Sequence, residues 1–359
     1  MKIMHELNQL DYGGAERVVL GIATNDKQNE HMIFAYKDGP MRKVFEDAGI
    51  KVVVEKEDQD TPELQIDIMH LHTGGAPSPL AHDTKGVIAT IETVHSPVAS
   101  AVRDEWIHAR VGVTDVVTKL NRKCRTIHNG VGLSRLELKT VDGDGHEKFE
   151  DPKKWCKSLF GIPEDAFVVG RLGRLGYDKC IEDWLAAAWY FQKDHPQKDK
   201  IWFIIAGNEA EPNYWATIKV MCASLPLKNV VFVEDPGENV APVYAAMDVF
   251  MYGSPTEGFG LVYLEAAACG AAVLAWENPV TRELLTGHAR LVPQTVDGLV
   301  DGLRFMFDNP DIREQLAELG QDLATLDMTE ARMAEGYQKL YAEVYRSVYN
   351  MEPKELVES

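Results

Sequence analysis

The sequence has few cysteines, and they follow none of the patterns that bind metals or form disulfide frameworks. Its 359 residues include five cysteines, an odd number. They are scattered along the chain without a CxxC pair, at Cys124, Cys156, Cys180, Cys222 and Cys269. Structural zinc sites and small disulfide-rich domains need closely spaced cysteines, so neither class is indicated. We expect reduced thiols, as in a cytoplasmic protein.

Long apolar runs and an excess of basic residues are also missing. No segment reaches the roughly 20 apolar residues that cross a membrane, and the amino-terminal stretch lacks an apolar run of signal-peptide length. Against 37 Lys and Arg stand 56 Asp and Glu, a formal net charge of −19. Extensive nonspecific contact with nucleic acid or an anionic membrane needs a basic face. The sequence therefore predicts a cytoplasmic protein with no transmembrane contact and no extensive nonspecific nucleic-acid binding.

Short Val/Ile-rich runs alternate with helical patterns along the chain, which is typical of parallel sheets covered by helices on both faces. We predict strands at KIMHEL, HMIFAY, KVVVEK, DIMHLH and VIATIETVH, and later at FVVGRLG, IWFIIAGN, VVFVED, DVFMYGS, AAVLAW and ARLVP. A polar, turn-rich stretch interrupts the alternation. The predicted fold is α/β, with two Rossmann-like doubly wound domains at 1–138 and 167–330, a linker at 139–166, and a carboxy-terminal helix at 331–359 that returns toward the first domain.

The carboxy-terminal pattern is helical only. Five apolar residues fall on one stripe at helical spacing, namely Met333, Tyr337, Leu340, Tyr341 and Val344. A stripe of this kind usually packs against the body of a protein. We predict that it faces the first domain.

Two Rossmann-like domains facing across a cleft bind ligands at the carboxyl ends of their strands. The stretch GRLGRLGYDKC follows a predicted strand and places Arg174 and Lys179 five residues apart. This spacing lets both cations converge on one anion, such as a diphosphate, through charge-assisted hydrogen bonds. The alternative is that both form surface ion pairs on a loop.

The stretch SPTEGFGLVYLEAAACG, residues 254–270, begins as a loop and continues as a helix. Gly258 and Gly260 allow close approach of backbone to a ligand, and the helix beginning there points free N–H groups at an anion. Glu257 could cap that helix or hold sugar hydroxyls. Glu265, inside an apolar run, needs a polar partner if it is buried, and a ribose could supply one.

These motifs resemble the retaining glycosyltransferases of the GT-B fold, especially the GT4 family. TEGFGLVYLEAAACGAAVLAW is similar to the EX7E segment of that family, and GRLGRLGYDK to its Gly-Arg-Leu and Lys-Gly loop. IAGNEAE resembles its Gly-rich strand end, and IHNGV its Asn-Gly-Val segment. DYGGAERVV and TVHSP resemble its amino-terminal Gly-Gly loop and the strand that ends in an active-site His.

The resemblance implies roles for individual residues. Arg174, Lys179, Glu257 and His95 would be the catalytic residues, with His95 near the donor sugar. The donor-binding residues would be Gly13, Gly14, Gly207, Asn208, Glu234, Gly258, Phe259, Gly260, Leu261 and Glu265. Among them, Glu265 would hold the ribose, whereas Gly207, Asn208 and Glu234 would border the nucleobase. Cys180 departs from the pattern, because the family has Gly after the loop lysine.

Basic residues crowd together in TKLNRKCR, residues 118–125. Lys119 and Arg122 are candidates for docking a phosphate-bearing acceptor, although a solvated surface is the plainer reading. His72 is a further candidate for the acceptor side, with structural packing as its alternative.

Metal binding is not predicted. Asp142 and Asp144 have the spacing by which other glycosyltransferases hold manganese, but they lie in the predicted linker and fit a turn better. His70 and His72 share a strand face without an evident third ligand. The pair Arg174 and Lys179 already supplies the positive charge that a metal would bring.

The predicted function is a glycosyltransferase that moves a sugar from a nucleoside-diphosphate sugar, of UDP or GDP type, to a hydroxyl-bearing acceptor with retention. Fixed cations and helix N–H groups would stabilise the departing diphosphate, which itself assists deprotonation of the acceptor, so no protein nucleophile and no cofactor are required. Two alternatives stay open: another GT-B chemistry, such as nucleotide-sugar epimerisation or phosphorolysis, and a noncatalytic nucleotide-sugar binding subunit. The sequence does not identify the acceptor.

Overall fold

The computed structural model describes residues 1–55, 65–72, 86–138 and 151–349. The chain divides into two compact units. The first unit comprises Met1–Val131, Glu257–Gly260 and Met328–Ser359, and the second comprises Gly132–Thr256 and Leu261–Asp327. Among the described residues, no helix combines the length and the apolar character that a membrane crossing requires.

The first unit is built on a parallel sheet of seven strands, counted over the described residues. The strands are β1 (Lys2–Leu7), β2 (Glu30–Ala35), β3 (Lys51–Val54), β4 (Ile66–Leu71), β5 (Val87–Val94), β6 (Ala109–Gly112) and β7 (Cys124–Thr126). Their order is β3-β2-β1-β4-β5-β6-β7, so the winding reverses between β1 and β4. In an open parallel sheet, the carboxyl ends of the strands at such a reversal form the usual ligand crevice.

Helices cover this sheet, and the last helix of the described chain is one of them. They are α1 (Gly14–Asn25), α2 (Met41–Asp47), α3 (Asp115–Leu120) and α12 (Glu330–Tyr349). Helix α12 packs on α1 and reaches strands β4 and β5. Its apolar stripe is buried, with Tyr337 and Tyr341 at 0% exposure, which confirms that the carboxy-terminal helix packs back on the first domain.

The second unit has a parallel sheet of six strands among the residues described. They are β8 (Phe167–Leu172), β9 (Ile201–Ala206), β10 (Val230–Val233), β11 (Val249–Tyr252), β12 (Ala272–Trp276) and β13 (Arg290–Val292), in the order β10-β9-β8-β11-β12-β13. Every residue of β11 and β12 is buried, as expected of parallel strands covered on both faces. The winding reverses between β8 and β11.

The helices of the second unit enclose its core. They are α4 (Pro152–Leu159), α5 (Ile181–Gln192), α6 (Tyr214–Ser224), α7 (Ala241–Ala245), α8 (Leu261–Ala268), α9 (Pro279–Leu285), α10 (Val296–Asp308) and α11 (Pro310–Asp322), and a π-helical turn follows at Leu323–Asp327. Trp184 of α5 is fully buried and stacks edge-on against Phe203 of β9, with 6.0 Å between the ring centroids. The predicted fold of two Rossmann-like doubly wound units is confirmed.

Two details differ from the sequence-based expectation. Strands β6 and β7 were not predicted, because one has four residues and the other three, and β7 lies in the basic stretch. Residues 152–159, inside the predicted linker, form helix α4 of the second unit. Lys157 on this helix is buried, and its Nζ lies 3.1 Å from Asp248 Oδ2 and 2.7 Å from the Ala166 carbonyl.

Candidate functional site

Two of the sequence motifs follow the two strands of the second unit at which its winding reverses. The loop at 173–180 leaves the end of β8, and the loop at 253–260 leaves the end of β11. These strands are hydrogen-bonded neighbours in the sheet. Their carboxyl ends therefore lie at the position where open α/β sheets bind ligands.

Arg174 and Lys179 lie on the first of these loops, and one carboxylate contacts both of them. Asp178 Oδ2 is 2.6 Å from Arg174 Nη2 and 3.5 Å from Lys179 Nζ. The Arg174 side chain is 54% exposed and that of Lys179 is 15% exposed. The two cations thus meet at a single anionic oxygen. A phosphate oxygen could take the place of this carboxylate, because both anions accept charge-assisted hydrogen bonds.

The loop at 173–180 is held by the end of the neighbouring strand β9. The Leu175 N–H donates to the Asn208 carbonyl at 2.9 Å, and the Ala210 N–H donates to the Leu175 carbonyl at 2.8 Å. Gly207 lies so close to Gly173 that a Cβ atom on it would overlap the Gly173 carbonyl. Gly207 and Asn208 therefore fix the loop through their backbone; their predicted place beside a nucleobase stays a prediction.

Cys180 adopts a conformation that favours glycine. Its φ of 45° and ψ of 51° lie in the left-handed region, and it immediately precedes helix α5. A short 3₁₀ turn, Tyr177–Lys179, leads into it. The sequence departs from the family's glycine at this position, and the backbone there has the geometry that glycine adopts without strain.

Glu265 is buried in α8, and two polar side chains are its partners. The Arg135 guanidinium donates to one carboxylate oxygen, and the Tyr244 hydroxyl donates to the other at 2.8 Å. Burial, together with the negative charge of Glu265, raises the pKa of Tyr244 well above its usual value. Sequence reasoning missed Arg135 and Tyr244, since no local spacing connects them to Glu265. The ribose contact of Glu265 stays a prediction.

The segment Glu257–Gly260 belongs to the first unit, where Gly258 lies directly against His95. A Cβ atom on Gly258 would overlap the His95 carbonyl. The Thr114 hydroxyl donates to the Gly258 carbonyl at 3.1 Å. Phe259 is buried, and Glu257 is half-buried. The structure therefore brings two predicted site residues, His95 and Gly258, into contact.

The remaining predicted donor residues lie in different settings. Gly260 and Leu261 are half-buried at the junction between this segment and helix α8. Glu234 is exposed, and its carboxylate is paired with Lys219. These settings neither require nor prevent contact with a nucleotide, so the roles predicted for the three residues stay predictions.

Histidines gather where the winding of the first sheet reverses. His5 lies on β1, His70 on β4, His72 just after β4, and His95 just after β5. Burial, followed by repulsion between the rings, holds the pKa of His5, His70 and His72 well below the usual value. Burial lowers the pKa of His95 to about 4. All four rings are therefore neutral near pH 7.

His72 is only 3% exposed, and both of its ring nitrogens are bonded to other histidines. The structure therefore gives it no nitrogen to offer an acceptor.

Sequence reasoning also missed that His5 lies close to His70 and His72, with one ligand atom of each within 4.8 Å of the others. Each of these three rings is hydrogen-bonded through both nitrogens. Asp142 and Asp144 lie outside the described residues.

The Gly-Gly loop of the first unit leads into helix α1. Gly13 caps this helix, which begins at Gly14. Glu16 in the first turn is buried, and its carboxylate lies beside Gly13. Burial raises the pKa of Glu16 to about 7. Sequence reasoning missed this acid, which shares the helix end with the predicted phosphate contacts of Gly13 and Gly14.

The basic stretch is exposed at the two residues predicted to meet an acceptor. Lys119 is in the last turn of α3, and Arg122 follows in the turn before β7. Nearby, Arg125 makes a two-pronged ion pair with Glu343 of α12, each N–O distance being 2.7 Å. Surface exposure agrees with either reading of this stretch, so acceptor docking stays a prediction.

Two Rossmann-like units define the GT-B fold, and known structures of this class match the chain along nearly its whole length. A crystal structure of Anabaena HepE in complex with UDP and glucose matches with a TM-score of 0.79, covering 96% of this chain and 100% of that one at 16% identity. A glycosyltransferase from Rickettsia africae matches with a TM-score of 0.76, covering 96% and 98% at 15% identity. The chain has the GT-B fold.

Residues 157–322 match the family described as Glycosyl transferases group 1. The α-monoglucosyldiacylglycerol synthase of Streptococcus pneumoniae is 27% identical over 208 residues, 57% of this chain and 40% of the relative. The D-inositol 3-phosphate glycosyltransferase of Thermobispora bispora is 29% identical over 221 residues, 55% of this chain and 49% of the relative. The chain spans about half the length of the curated relatives that it matches.

Proposed function

We propose that the protein is a retaining glycosyltransferase of the GT4 type, which transfers a sugar from a nucleoside-diphosphate sugar to a hydroxyl-bearing acceptor. The observation that carries this proposal is the convergence of Arg174 and Lys179 on one anionic oxygen, at the end of β8. The match of residues 157–322 to the family described as Glycosyl transferases group 1 supports it.

In this proposal the second unit binds the diphosphate of the donor. Arg174 and Lys179 neutralise the charge that develops on the diphosphate as the glycosyl bond breaks, and the first N–H groups of α8 add their dipole. Each charge-assisted hydrogen bond contributes about 1.5 to 3 kcal/mol. The leaving phosphate takes part in deprotonating the acceptor, so the scheme needs no covalent intermediate with Glu257.

The donor sugar and nucleoside occupy the other predicted contacts. Glu257 and the backbone from Gly258 to Leu261 hold sugar hydroxyls, with His95 beside the sugar. Glu265 reaches the ribose while keeping its bond to Tyr244, since a carboxylate oxygen can accept more than one hydrogen bond. UDP and GDP sugars share these contacts, so both are candidate donors.

The test measures nucleotide binding before activity. Thermal unfolding and titration calorimetry with UDP, GDP and ADP identify the base, because a ligand that binds the native state raises its stability. Arg174→Ala and Lys179→Ala are each expected to weaken binding of the best nucleotide at least tenfold. Lys200→Ala is the matched control, since it removes an exposed cation that is paired with Asp165 elsewhere on this unit.

Activity then separates the alternatives. Incubation with UDP and GDP sugars is expected to give slow hydrolysis, and transfer when an acceptor is present. Conversion of the sugar without release of the nucleotide would indicate an epimerase. Tight nucleotide binding without turnover of any donor would indicate a noncatalytic subunit. Equal nucleotide affinity in the wild type, Arg174→Ala and Lys179→Ala would contradict the proposed site.

A further inference from the structure

Four imidazoles of the first unit form one continuous series that ends at a carboxylate. His95 Nε2 lies 2.9 Å from His72 Nδ1, and His72 Nε2 lies 3.1 Å from His5 Nδ1. His5 Nε2 lies 2.9 Å from His31 Nδ1. His31 Nε2 lies 3.2 Å from Asp26 Oδ2, somewhat off the line of an ideal hydrogen bond. We call these five residues the histidine series.

Judged from the described residues, the histidine series reaches the surface at one end. His5 and His72 are 0% and 3% exposed, and the side chains of His31 and Asp26 are 2% and 0% exposed. His95 is half-buried and is the member that reaches the surface. Any exchange of protons between the series and a ligand must therefore pass through His95.

Asp26 is held as a carboxylate at the closed end. The Asn29 side chain donates to it at 2.7 Å, and the Gln28 N–H and the Gln338 side chain each donate at 3.0 Å. Burial alone would raise the pKa of Asp26, but its contacts with His31 and Asn29 outweigh burial and hold the pKa below its usual value. Asp26 therefore acts as an anionic acceptor.

The carboxylate sets the direction of every hydrogen bond in the series. A neutral imidazole has one N–H and one lone pair. His31 turns its Nε2–H toward Asp26, so its Nδ1 accepts from His5 Nε2–H. By the same rule His5 Nδ1 accepts from His72, and His72 Nδ1 accepts from His95 Nε2–H. The lone pair left over is on His95 Nδ1, to which no described residue is hydrogen-bonded.

We propose that His95 Nδ1 accepts a proton from a substrate hydroxyl and that the histidine series conducts the charge to His31 beside Asp26. One N–H bond forms at His95 Nδ1 as the hydroxyl O–H bond breaks. The Nε2 protons of His95, His72 and His5 then each move to the next ring. The step ends with a cationic His31 beside the Asp26 carboxylate and with three neutral rings whose tautomers have reversed. The histidine series has then gained the one proton, and its positive charge, that the substrate hydroxyl has lost.

This inference rests on the proposed function only for the identity of the hydroxyl, which belongs to the acceptor or the donor sugar. His95 is the catalytic residue, because it touches the substrate. His72, His5, His31 and Asp26 are positioning residues that act through it.

Three further titratable side chains pack around the histidine series, and none of them carries a charge that could replace that of Asp26. The His70 ring centroid lies 4.0 Å from that of His72, and its nitrogens are bonded to Tyr341 and Thr93 at 2.7 Å each. The Tyr341 ring from α12 lies 6.3 Å from His31, and burial raises the pKa of Tyr341 well above its usual value. Tyr337 of α12 also faces His70 and has a raised pKa through burial. All three are neutral near pH 7.

The direct test measures tautomers by ¹⁵N nuclear magnetic resonance of the full chain, labelled at its histidine ring nitrogens. At neutral pH we expect Nε2–H tautomers throughout the series. As the pH is lowered, we expect His31 to gain a second proton while His95 stays neutral and changes to the Nδ1–H tautomer. Formation of an imidazolium at His95 first, the one accessible ring, would overturn the proposal.

Asp26→Asn tests the closed end, with Asp38→Asn as the control because Asp38 is a partly exposed carboxylate paired with Arg42 in the same unit. In the asparagine variant the coupled change at His31 and His95 should disappear, whereas the control should keep it. Persistence of the coupled change in Asp26→Asn would count against the proposal.

Kinetics give a second, independent readout. We expect Asp26→Asn and His72→Gln to lower kcat by about tenfold or more, with the KM for the donor nearly unchanged, since general base catalysis contributes about 10²- to 10⁴-fold. The acidic limb of the pH–rate profile should move in both variants. An unchanged kcat would overturn the catalytic role. The tautomer experiment decides the proton path even in a chain that transfers no sugar, so the two proposals can fail separately.

Discussion

The guanidinium of Arg135 donates to the carboxylate of Glu265, 130 residues away along the chain. Tyr244 occupies the second carboxylate oxygen at 2.8 Å, and Glu265 is 6% exposed. The glutamate that the sequence marks as a ribose contact is therefore held in one orientation before any ligand arrives. A carboxylate fixed in this way loses little freedom when it accepts further hydrogen bonds.

Arg135→Ala is expected to lower the free energy of unfolding by about 2 to 3 kcal/mol. Removing one partner of a buried pair leaves the other charge uncompensated, and the 20% exposure of the Arg135 side chain moderates the loss. Urea denaturation measures it. Arg125→Ala breaks an exposed pair with Glu343 and should cost about 1 kcal/mol or less. Equal losses in the two variants would contradict this account of Glu265.

Asp178→Asn is expected to tighten binding of nucleoside diphosphates about two- to fivefold. The Asp178 carboxylate occupies the position where Arg174 and Lys179 meet, and a phosphate must displace it. An exposed ion pair costs up to about 1 kcal/mol to break, which sets the size of the effect. Calorimetry with UDP and GDP measures it, with Asp194→Asn, an exposed acid of the same unit, as the control. Weaker binding in Asp178→Asn would show that this carboxylate helps to hold the nucleotide.

Cys180→Gly is expected to be more stable than Cys180→Ala by about 1 kcal/mol. Both variants lose the thiol, which packs on the core of the second unit, but only glycine relieves the left-handed backbone. Thermal and urea denaturation of the two variants measure the difference. Equal stabilities would mean that the φ of 45° carries no strain.

Glu16→Gln is expected to make stability less dependent on pH between 4.5 and 7. The raised pKa of Glu16, about 7 compared with 4.5, means that the folded state binds more protons than the unfolded state in this window. Wild-type stability therefore falls as the pH rises through it, by up to about 3 kcal/mol from this group. Urea titrations at several pH values measure the slope, and Glu30→Gln, an exposed glutamate of β2, should keep it. If the slope of stability against pH were unchanged in Glu16→Gln, groups other than Glu16 would cause the pH dependence.

Gly207→Ala is expected to weaken nucleotide binding severalfold as well as to destabilise the second unit. Its Cβ atom would meet the Gly173 carbonyl, and its φ of 144° disfavours any side chain. The loop carrying Arg174 and Lys179 must then move. Gly237→Ala, with a φ of 60° and no atom within 4 Å of the new Cβ, isolates the backbone cost of about 1 kcal/mol. Nucleotide affinity equal in the two variants would show that the contact at Gly173 does not matter for binding.

Elements with a strong local pattern could be predicted from the sequence. Strands β1 and β11 match the predicted strands KIMHEL and DVFMYGS to within a residue or two. The apolar stripe of α12 is buried where its spacing requires. In each case the signal lies within a few neighbouring residues, so no knowledge of distant contacts is needed.

Elements that depend on distant contacts could not be predicted. Strand β6 contains Arg110, an unlikely residue for a buried strand when read alone. Its guanidinium is only 3% exposed, and its charge is compensated because a carboxylate oxygen of Glu92 and one of Asp104 each lie 2.6 Å from a guanidinium nitrogen. Only the tertiary structure brings those carboxylates to it.

The candidate site divides in the same way. The backbone motifs around Gly207, Gly258 and helix α8 follow from local sequence, because glycines and helix ends have fixed conformational roles. The partners of the buried polar groups do not follow from the local sequence. His5 on β1 reads as an ordinary packed residue until the chain after β4 brings His72 beside it, and the chain after β5 brings His95 beside His72. A lone histidine in a strand carries no spacing signal, so the histidine series could not have been foreseen.

Helix α12 completes the first unit although it follows the second unit in the sequence, and this has a consequence for biosynthesis. The ribosome completes the strands β1 to β7 early, yet His70 on β4 and Thr93 on β5 lack their partners Tyr341 and Tyr337 until these residues emerge. The second unit, by contrast, is finished first, although it begins later. Nascent chains stalled before residue 328 should therefore display a folded second half and a first half that proteases still digest.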